Sequence, residues 1–323
     1  MRCLVTGVAG FIGSHLAERL LMGGHEVWGI DNFANYYPRS LKEHNLAVAR
    51  SWNSFTLIEK DLLERDLSPL LDGVDWVFHL AAQAGVRASW GNNFASYVHN
   101  NVLATQRLLE TVARLPCVRR FVYASSSSVY GETEHLALME TLKPQPYSPY
   151  GMTKLAAEHL CTLYQRNFGL PTVALRYFTV YGPRQRPDMA LQRFCQAALA
   201  HEPLHVFGDG TQRRDFTFID DIVEANLLAA TTDAAIGEVL NIGSGSQATL
   251  REVLALLEEV SETRLAICYE PGQRGDVTDT LADISRARQV LGYTPQIPLR
   301  VGLARQFADL VDLHVRSGGS LVV

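Results

Sequence analysis

The amino-acid sequence predicts an α/β fold in which a doubly wound parallel sheet carries helices on both faces. Two observations predict it. Short strands rich in β-branched residues alternate with segments of helical length, and parallel strands need such helical crossovers. In addition, a glycine-rich turn follows the first strand directly and leads into an amphipathic helix, as at the start of a Rossmann-type sheet.

The alternation is regular in the first part of the chain and looser afterwards. The predicted strands are CLVTG, EVWGID, FTLIEKD, DWVFHLA, RFVYASS and TVALRYF. After YGPRQRPDM, near residue 185, come helices, short strands such as HVFGDG and EVLNIG, and closing helices around 284 to 315. We therefore expect a Rossmann domain over 1–185 and a smaller C-terminal α/β lobe over 186–323, with some exchange of chain between them.

Composition excludes several classes of protein. The 323 residues contain 29 Lys plus Arg and 34 Asp plus Glu, without a long run of either sign, so no nucleic-acid groove or anionic membrane surface is indicated. The five cysteines form neither a CxxC pair nor a Cys/His cluster, so we expect no metal site and no disulfide framework. No membrane-spanning run or charged leader is visible, and we expect a cytoplasmic location.

The glycine-rich turn predicts a dinucleotide site. In TGVAGFIGSHLAERLL, Gly7, Gly10 and Gly13 lie three residues apart between strand and helix, where glycine lets the backbone approach a pyrophosphate. Asp31 ends the second strand, 18 residues after Gly13. A carboxylate there accepts from both ribose hydroxyls of NAD and repels the extra phosphate of NADP. The alternative for Asp31 is a turn residue before Asn32.

A tyrosine and a lysine share one face of a predicted helix in SPYGMTKLAAEHL, residues 148 to 160. Ser148 suits the N-cap and Pro149 the first helical position, which puts Tyr150 in the first turn. The positive end of the helix and the charge of Lys154 both favour phenolate, so we expect a lowered Tyr150 pKa and a usable base. The alternative is a surface pair on an amphipathic helix.

These motifs together resemble those of the extended short-chain dehydrogenase/reductase family, and within it the nucleotide-sugar epimerases and dehydratases. The resemblance covers nearly the whole chain and continues in HLAAQAGVR (79–87), NNVLAT (100–105), YASSSSVYG (123–131), RYFTVYGPRQRPDMA (176–190), GDGTQRRDFTFIDD (208–221) and GDVTDTLAD (275–283). It implies NAD as cofactor, a UDP-sugar bound by the C-terminal lobe, and a homodimer in which helices near 92–114 and 148–168 pair.

The resemblance also implies roles for individual residues. Tyr150 is the acid/base, Lys154 binds the nicotinamide ribose and lowers the tyrosine pKa, and Ser126 bridges the tyrosine and the sugar O4. Asp61 and Leu62 are expected along the adenine, Ala81 and Ala82 along the pyrophosphate and nicotinamide ribose, and Asn101 behind the active site. The remaining cofactor residues implied are Phe11, Ile12, Asn32, Gln83, Ser125 and Tyr177. The serine run could instead be a polar loop.

The motif SSSSVYG narrows the reactions that the resemblance implies. The dehydratases of the family carry Thr-Asp-Glu before Val-Tyr-Gly, and the UDP-glucuronate decarboxylases carry Glu directly before that Val. This chain has Ser128 at that position. The resemblance therefore favours 4-epimerisation through a transient 4-keto sugar, with NAD recycled.

Arginines are the residues that the resemblance implies at the diphosphate and at the sugar of the substrate. Arg214 matches the family arginine that clamps the diphosphate and Arg274 is a second candidate, although ion pairs with Asp215 or Asp276 are alternatives. The segment FTVYGPRQRPDMA resembles that of the UDP-glucuronate 4-epimerases. The residues expected at the uronate are Thr179, Arg186, Arg87, Ser127 and Ser128. Arg186 and Arg87 could instead be loop residues without a role in binding. A 4-epimerase of neutral UDP-hexoses such as UDP-glucose or UDP-GlcNAc, or a non-catalytic NAD-binding protein, remain alternative functions.

Overall fold

In a computed structural model of the chain, the residues described are 1–63, 66–115, 117–133, 137–272, 275 and 277–316. The strands are β1 (Arg2–Thr6), β2 (Glu26–Asp31), β3 (Phe55–Glu59), β4 (Trp76–His79), β5 (Arg120–Ser126), β6 (Thr172–Tyr177), β7 (Thr179–Tyr181), β8 (Leu204–Phe207), β9 (Arg213–Arg214), β10 (Phe216–Phe218), β11 (Val239–Ile242), β12 (Ala248–Thr249) and β13 (Ile267–Glu270).

The helices are α1 (Phe11–Met22), α2 (Arg39–Asn45), α3 (Ser68–Leu71), α4 (Phe94–Tyr97), α5 (Ala104–Val112), α6 (Pro149–Phe168), α7 (Ala190–Ala200), α8 (Ile219–Thr231), α9 (Leu250–Ser261), α10 (Ser285–Leu291) and α11 (Leu299–Arg316). A π-helical turn, Val98–Leu103, joins α4 to α5. None of the helices in the described ranges combines the length and the apolar character needed to cross a bilayer.

The predicted α/β fold is confirmed. Seven parallel strands form one sheet in the order β11-β6-β5-β4-β1-β2-β3. Helices cover both faces, and every residue of β4, β5 and β6 is buried. The strand order reverses at β1, which lies between β4 and β2. In such sheets ligands bind beyond the carboxyl ends of the strands at the point of reversal.

The second half of the chain contributes to both lobes. Strand β11, from the predicted EVLNIG segment, pairs with β6 and so extends the main sheet. The pairs β7 with β10, β8 with β13 and β9 with β12 form separate two-stranded sheets. The expected domain boundary near residue 185 stays a prediction. Strand β11 lies far beyond this residue in the sequence and still belongs to the N-terminal sheet.

The predicted start of α6 is confirmed. Ser148 has an extended backbone, and its side chain accepts a hydrogen bond of 3.1 Å from the Gly151 amide. Pro149 is the first helical residue, and the helix ends at Gly169, whose φ of 68° is left-handed. The cap satisfies an amide that lacks a partner inside the helix, while the proline has no amide to satisfy.

The turn between β1 and α1 depends on glycine at two positions. Gly7 has a φ of 69°, and a Cβ there would lie 2.9 Å from the Ala81 backbone. A Cβ on Gly13 would collide with the carbonyl oxygen of Gly7. The end of β1, the start of α1 and the segment after β4 can therefore approach one another only without side chains at these positions.

Candidate active site

A long cleft lies at the carboxyl ends of β1, β2, β4, β5 and β6. Its empty volume is about 1230 Å³, including the solvent at its mouth. Predicted cofactor residues that line it are Gly7, Gly10, Phe11, Ile12, Gly13, Asp31, Asn32, Asp61, Leu62, Ala81, Ala82, Gln83, Ser125, Tyr150, Lys154 and Tyr177. Residues far apart in sequence thus meet along one continuous surface.

Asp31 lies at one end of this cleft and is 8% exposed. Its carboxylate accepts from the amides of Ala9 (3.1 Å) and Phe33 (2.8 Å), and the Lys42 ammonium is 3.9 Å away. Burial raises the pKa of Asp31, although the Lys42 charge and the two amides oppose the increase. Each carboxylate oxygen has a further lone pair, so Asp31 can also accept from hydroxyl groups in the cleft.

Lys42 is a cleft residue that the sequence analysis missed. It lies on α2, its ammonium donates to the Ala34 carbonyl at 2.8 Å, and it is buried beside Asp31. Nothing in the local sequence distinguishes it from a surface lysine on a short helix. The folding of the segment after β2 back over the sheet is what brings it to the carboxylate.

Side-chain hydrogen bonds hold the backbone of the cleft from behind. The Asn101 amide donates to the Gln83 carbonyl (3.0 Å) and to Thr153 Oγ1 (2.9 Å), while its oxygen accepts from the Gln83 amide (2.7 Å). Asn101 is buried and lies outside the lining of the cleft. It therefore positions Gln83, and lies behind the active site as the resemblance implied.

His79 plays a similar part at the end of β4. Its ring nitrogens are 2.8 Å from Thr6 Oγ1 and 2.9 Å from Thr105 Oγ1. Burial lowers the pKa of His79 to about 3, so the ring is neutral. The Thr6 oxygen also accepts from the amides of Leu80 and Ala81, which fixes the backbone of the cleft floor.

Of the three predicted catalytic residues, Tyr150 and Lys154 line the cleft, and Ser126 lies next to Tyr150. The Ser126 hydroxyl lies beside the phenol of Tyr150 and lowers the pKa of Tyr150, and it accepts from the Ser128 amide at 3.1 Å. Lys154 is buried, and its ammonium donates to the Ala124 carbonyl at 2.8 Å. The Ser125 hydroxyl points away and donates to the buried Glu158 at 2.6 Å. Ser125 thus borders the cleft while its hydroxyl is used in the core.

Gly151 makes this arrangement possible and was not predicted. A Cβ at this position would collide with the carbonyl oxygen of Ser128. The short helix Ser127–Val129 therefore packs directly on the first turn of α6. This contact keeps Ser126 next to Tyr150.

The expected lowering of the Tyr150 pKa is wrong in direction. Burial raises the pKa of Tyr150, and the Ser126 hydrogen bond and the Arg186 charge offset only part of the increase. Burial also lowers the pKa of Lys154 to about 7. The cost of burying ions outweighs the helix terminus and the neighbouring ammonium, an effect that depends on tertiary structure.

Lys154 should make stability depend on pH. The pKa of Lys154 is about 7 in the folded chain and roughly 10.4 in an unfolded one. The contribution of Lys154 to stability therefore increases as the pH rises from about 7 to roughly 10.4. It is lost as the pH falls back through this range to about 7. We compare the nucleotide-free forms of wild type and Lys154→Met. At pH 6 we expect the unfolding free energy of Lys154→Met to be higher than that of wild type by roughly a few kcal/mol. Urea unfolding at pH 6 and pH 9.5 checks this, and a gap that does not narrow at the higher pH contradicts it.

Arg186 is the predicted uronate residue that reaches the cleft. Its guanidinium lines the cleft and lowers the pKa of Tyr150, so it lies near the phenol. Nε and Nη2 pair with the two oxygens of Asp188 at 2.9 and 3.0 Å. The Tyr36 hydroxyl donates to the same carboxylate at 3.1 Å.

The other predicted substrate residues lie in different settings. Thr179 is the first residue of β7, and Ser127 and Ser128 follow β5 directly. The Arg87 guanidinium stacks on Phe207 at 4.3 Å, and Arg87 is not among the residues that line the cleft. Its contact with a uronate stays a prediction.

Arg214 binds backbone and not the aspartate next to it. Its guanidinium donates to the carbonyls of Arg213, Val277 and Thr278 at 2.6 to 2.8 Å. Asp215 accepts instead from Ser244, Gly245 and Ala282. The predicted alternative of an Arg214–Asp215 pair is therefore wrong. Arg274 and Asp276 lie outside the described residues.

The cleft fits a dinucleotide. Bare backbone at the glycine turn offers amides at the start of α1, and the Asp31 oxygens at the neighbouring carboxyl end of β2 can accept from ribose hydroxyls. The lining continues from Asp31 to Lys154 without interruption by a bulky charged group at the turn. Within the described ranges, no cluster of three or more His, Cys, Asp or Glu could hold a metal ion.

Fold and cleft together define a nucleotide-binding α/β protein with the tyrosine and lysine of a dehydrogenase-type active site. Comparison with known proteins makes the assignment specific. Residues 3–243 match the NAD dependent epimerase/dehydratase family, and the chain belongs to that family.

Similar proteins match over nearly the whole chain. UDP-glucuronic acid 4-epimerase from Bacillus cereus, solved with UDP-glucuronic acid and NAD, has 46% identity and a TM-score of 0.94 over 97% of this chain and 100% of its own. A Bacillus subtilis (strain 168) protein named uncharacterized UDP-glucose epimerase YtcB is 47% identical over 97% of this chain and 99% of its own. UDP-glucuronate 4-epimerase of Thermodesulfobacterium geofontis is 38% identical over 94% of each chain.

Proposed function

We propose that the protein is an NAD-dependent epimerase that interconverts UDP-glucuronate and UDP-galacturonate through a transient 4-keto sugar. The observation that carries the proposal is Arg186, a cation on the wall of the cleft close to Tyr150. A uronate differs from a hexose by a carboxylate, and arginine recognises carboxylates with paired, charge-assisted hydrogen bonds. The similarity to UDP-glucuronic acid 4-epimerase over 97% of the chain supports the same reaction.

The protein's own groups move the proton. Tyr150 takes the proton of the C4 hydroxyl and later returns it, with the Ser126 hydroxyl as the bridge between phenol and sugar. When bound, NAD⁺ supplies the acceptor for the C4 hydrogen and a positive charge that opposes the raised Tyr150 pKa. Lys154 lies one turn along α6 and lines the cleft, and we propose that it binds the nicotinamide ribose.

The chemistry of the intermediate demands a held carboxylate. Oxidation at C4 produces a ketone β to the C5 carboxylate, and such acids lose carbon dioxide when the breaking bond aligns with the carbonyl π system. Arg186, with the hydroxyls of Thr179, Ser127 and Ser128, is proposed to keep that bond out of alignment. The sugar then turns within the site and is reduced on its other face.

The nucleotide half of the substrate is proposed to lie against the C-terminal lobe. The Arg214 guanidinium is held by the carbonyls of residues 277 and 278, and it is our leading candidate for the diphosphate. Arg274 is a second candidate. The adenosine half of NAD is proposed to lie along Asp31, Asn32, Asp61 and Leu62, which line the other end of the cleft.

A second candidate function is 4-epimerisation of neutral UDP-hexoses. It is favoured by the pairing of Arg186 with Asp188, which already satisfies part of the guanidinium charge. A non-catalytic NAD-binding role is less well supported, because a binding module needs no serine hydroxyl beside a phenol that lines its cleft. Product analysis separates these functions.

The test is incubation of the purified protein with UDP-glucuronate, UDP-glucose and UDP-GlcNAc. We expect UDP-galacturonate from the first, with little UDP-pentose, and much slower epimerisation of the neutral sugars. Chromatography and NMR of the products measure both. Epimerisation of neutral hexoses alone would replace the proposal by the second candidate, and no epimerisation of any sugar would favour the binding role.

We also propose that the protein is a homodimer in the cytoplasm. Leu103, Met152 and Leu163 are 47 to 53% exposed on the neighbouring π-turn and α6, a run of apolar side chains that a second copy would cover. Sedimentation of the purified chain tests this assembly. The five cysteines are free thiols, which suits a reducing compartment.

A further inference from the structure

Three polar side chains form a connected chain beside Tyr150. Tyr36 comes from the segment after β2, while Arg186 and Asp188 come from the segment after β7. The Tyr36 hydroxyl donates to Asp188 Oδ2 at 3.1 Å, although the two residues are 152 positions apart. Asp188 in turn accepts from Arg186, whose guanidinium lies 5.9 Å from the centre of the Tyr36 ring. Two distant loops thus meet at one guanidinium.

The pairing with Asp188 uses one edge of the Arg186 guanidinium. Nε and Nη2 each donate to one oxygen of Asp188, which fixes the plane of the group. The Nη1 edge is not used in this pairing and carries two further N–H donors. Arg186 is 22% exposed, and it borders the cleft that holds Tyr150. A carboxylate can therefore bind Arg186 without displacing Asp188.

Tyr36 holds Asp188 in place. The Asp188 side chain is 36% exposed, so by itself it would have rotational freedom. Burial and the nearby Asp188 carboxylate raise the pKa of Tyr36, which keeps its hydroxyl protonated as a donor. The hydroxyl is confined from the other side as well, because a Cβ on Gly85 would lie 2.5 Å from it.

We propose that Tyr36 and Asp188 are positioning residues that set the preference of this enzyme for a uronate over a neutral hexose. They fix Arg186 with its Nη1 edge toward the sugar before the substrate arrives. Arginine loses much rotamer freedom when it binds an anion, and a guanidinium that is already fixed loses less. The inference rests on the proposed function, since it needs Arg186 to read the substrate carboxylate.

The opposite effect of Asp188 is also physically possible. An aspartate paired with Arg186 neutralises part of its charge and could weaken uronate binding. The geometry favours positioning, because the bidentate pair occupies the edge that includes Nε and leaves the Nη1 donors of this cleft-lining residue outside the pair. The two effects have opposite signs, so a binding measurement decides between them.

The experiment is a double-mutant cycle on the NAD-loaded enzyme. Dissociation constants of UDP-glucuronate and UDP-glucose are measured by calorimetry for wild type, Tyr36→Phe, Asp188→Asn, Arg186→Ala and the two double variants with Arg186→Ala. We expect the preference for UDP-glucuronate to fall about threefold to tenfold in Tyr36→Phe and about tenfold or more in Asp188→Asn. Neither change should alter the preference further once Arg186 is alanine.

Tyr269→Phe is the matched control, since it removes a tyrosyl hydroxyl from an exposed position on β13. It should leave the preference unchanged. The positioning role is overturned if Arg186→Ala lowers the preference for UDP-glucuronate while Tyr36→Phe and Asp188→Asn leave it unchanged. It is also overturned if Tyr36→Phe and Asp188→Asn raise this preference. Persistence of the Tyr36→Phe or Asp188→Asn effect in the Arg186→Ala background overturns it too. If Arg186→Ala itself leaves the preference unchanged, the proposed reading of the uronate fails instead.

Discussion

Tyr150→Phe is expected to reduce turnover of UDP-glucuronate by about 10³-fold or more. The substitution removes only the hydroxyl that exchanges a proton with the C4 oxygen and keeps the ring that packs against Tyr97 at 6.2 Å. We therefore expect the fold and the NAD content to remain those of wild type. Epimer formation at saturating substrate measures the loss, and circular dichroism with the nucleotide absorbance of the purified protein measures the rest.

Tyr97→Phe is a control for this result. Its hydroxyl lies in the same region but donates to the backbone carbonyls of Ala84 and Gly85. We expect turnover within several-fold of wild type, because the change removes hydrogen bonds to backbone and no group that moves a proton. If Tyr150→Phe retains activity within a few-fold of wild type, the acid/base is another residue.

Arg186→Ala is expected to weaken UDP-glucuronate binding about 100-fold, with a change of about threefold or less for UDP-glucose. Only the uronate has a carboxylate that loses its charged partner. We also expect a larger share of UDP-pentose among the products, because a less constrained 4-keto uronate more often reaches the alignment that releases carbon dioxide. Calorimetry and product chromatography measure the two effects.

Arg193→Ala serves as the comparison for Arg186→Ala. Arg193 is an exposed arginine on the nearby helix α7, and its removal changes the net charge equally. We expect it to leave both binding and products unaltered. Equal weakening of the two sugars by Arg186→Ala would show that Arg186 does not distinguish the carboxylate.

The parts of the site that were predictable lie within one element or one turn. The glycine turn of β1 and α1, Asp31 at the end of β2, and the Ser148 cap of α6 were all identified from residue type and spacing. Such features depend on backbone conformation and hydrogen bonds between residues close in sequence. A linear pattern contains that information.

Pairings between distant segments could not be read in the same way. Lys42 beside Asp31, and Tyr36 on Asp188, join loops whose spacing in sequence has no fixed relation to their distance in space. The stacking of Arg87 on Phe207 likewise joins two residues that are far apart in sequence, and no local pattern predicts it. Which arginine reaches the cleft depends on how the chain beyond β7 packs on the sheet.

Local sequence was therefore enough for the α/β class, for the glycine turn and Asp31 at the nucleotide end of the cleft, and for the pairing of Tyr150 with Lys154 on α6. Ser126 was assigned only through the family resemblance. Tertiary structure decided the electrostatics of that set. Helix terminus and neighbouring charge pointed to a lower Tyr150 pKa, but burial raises it and lowers that of Lys154 to about 7. Burial comes from every segment packed around the site, and removing an ion from water costs more than one favourable neighbour restores.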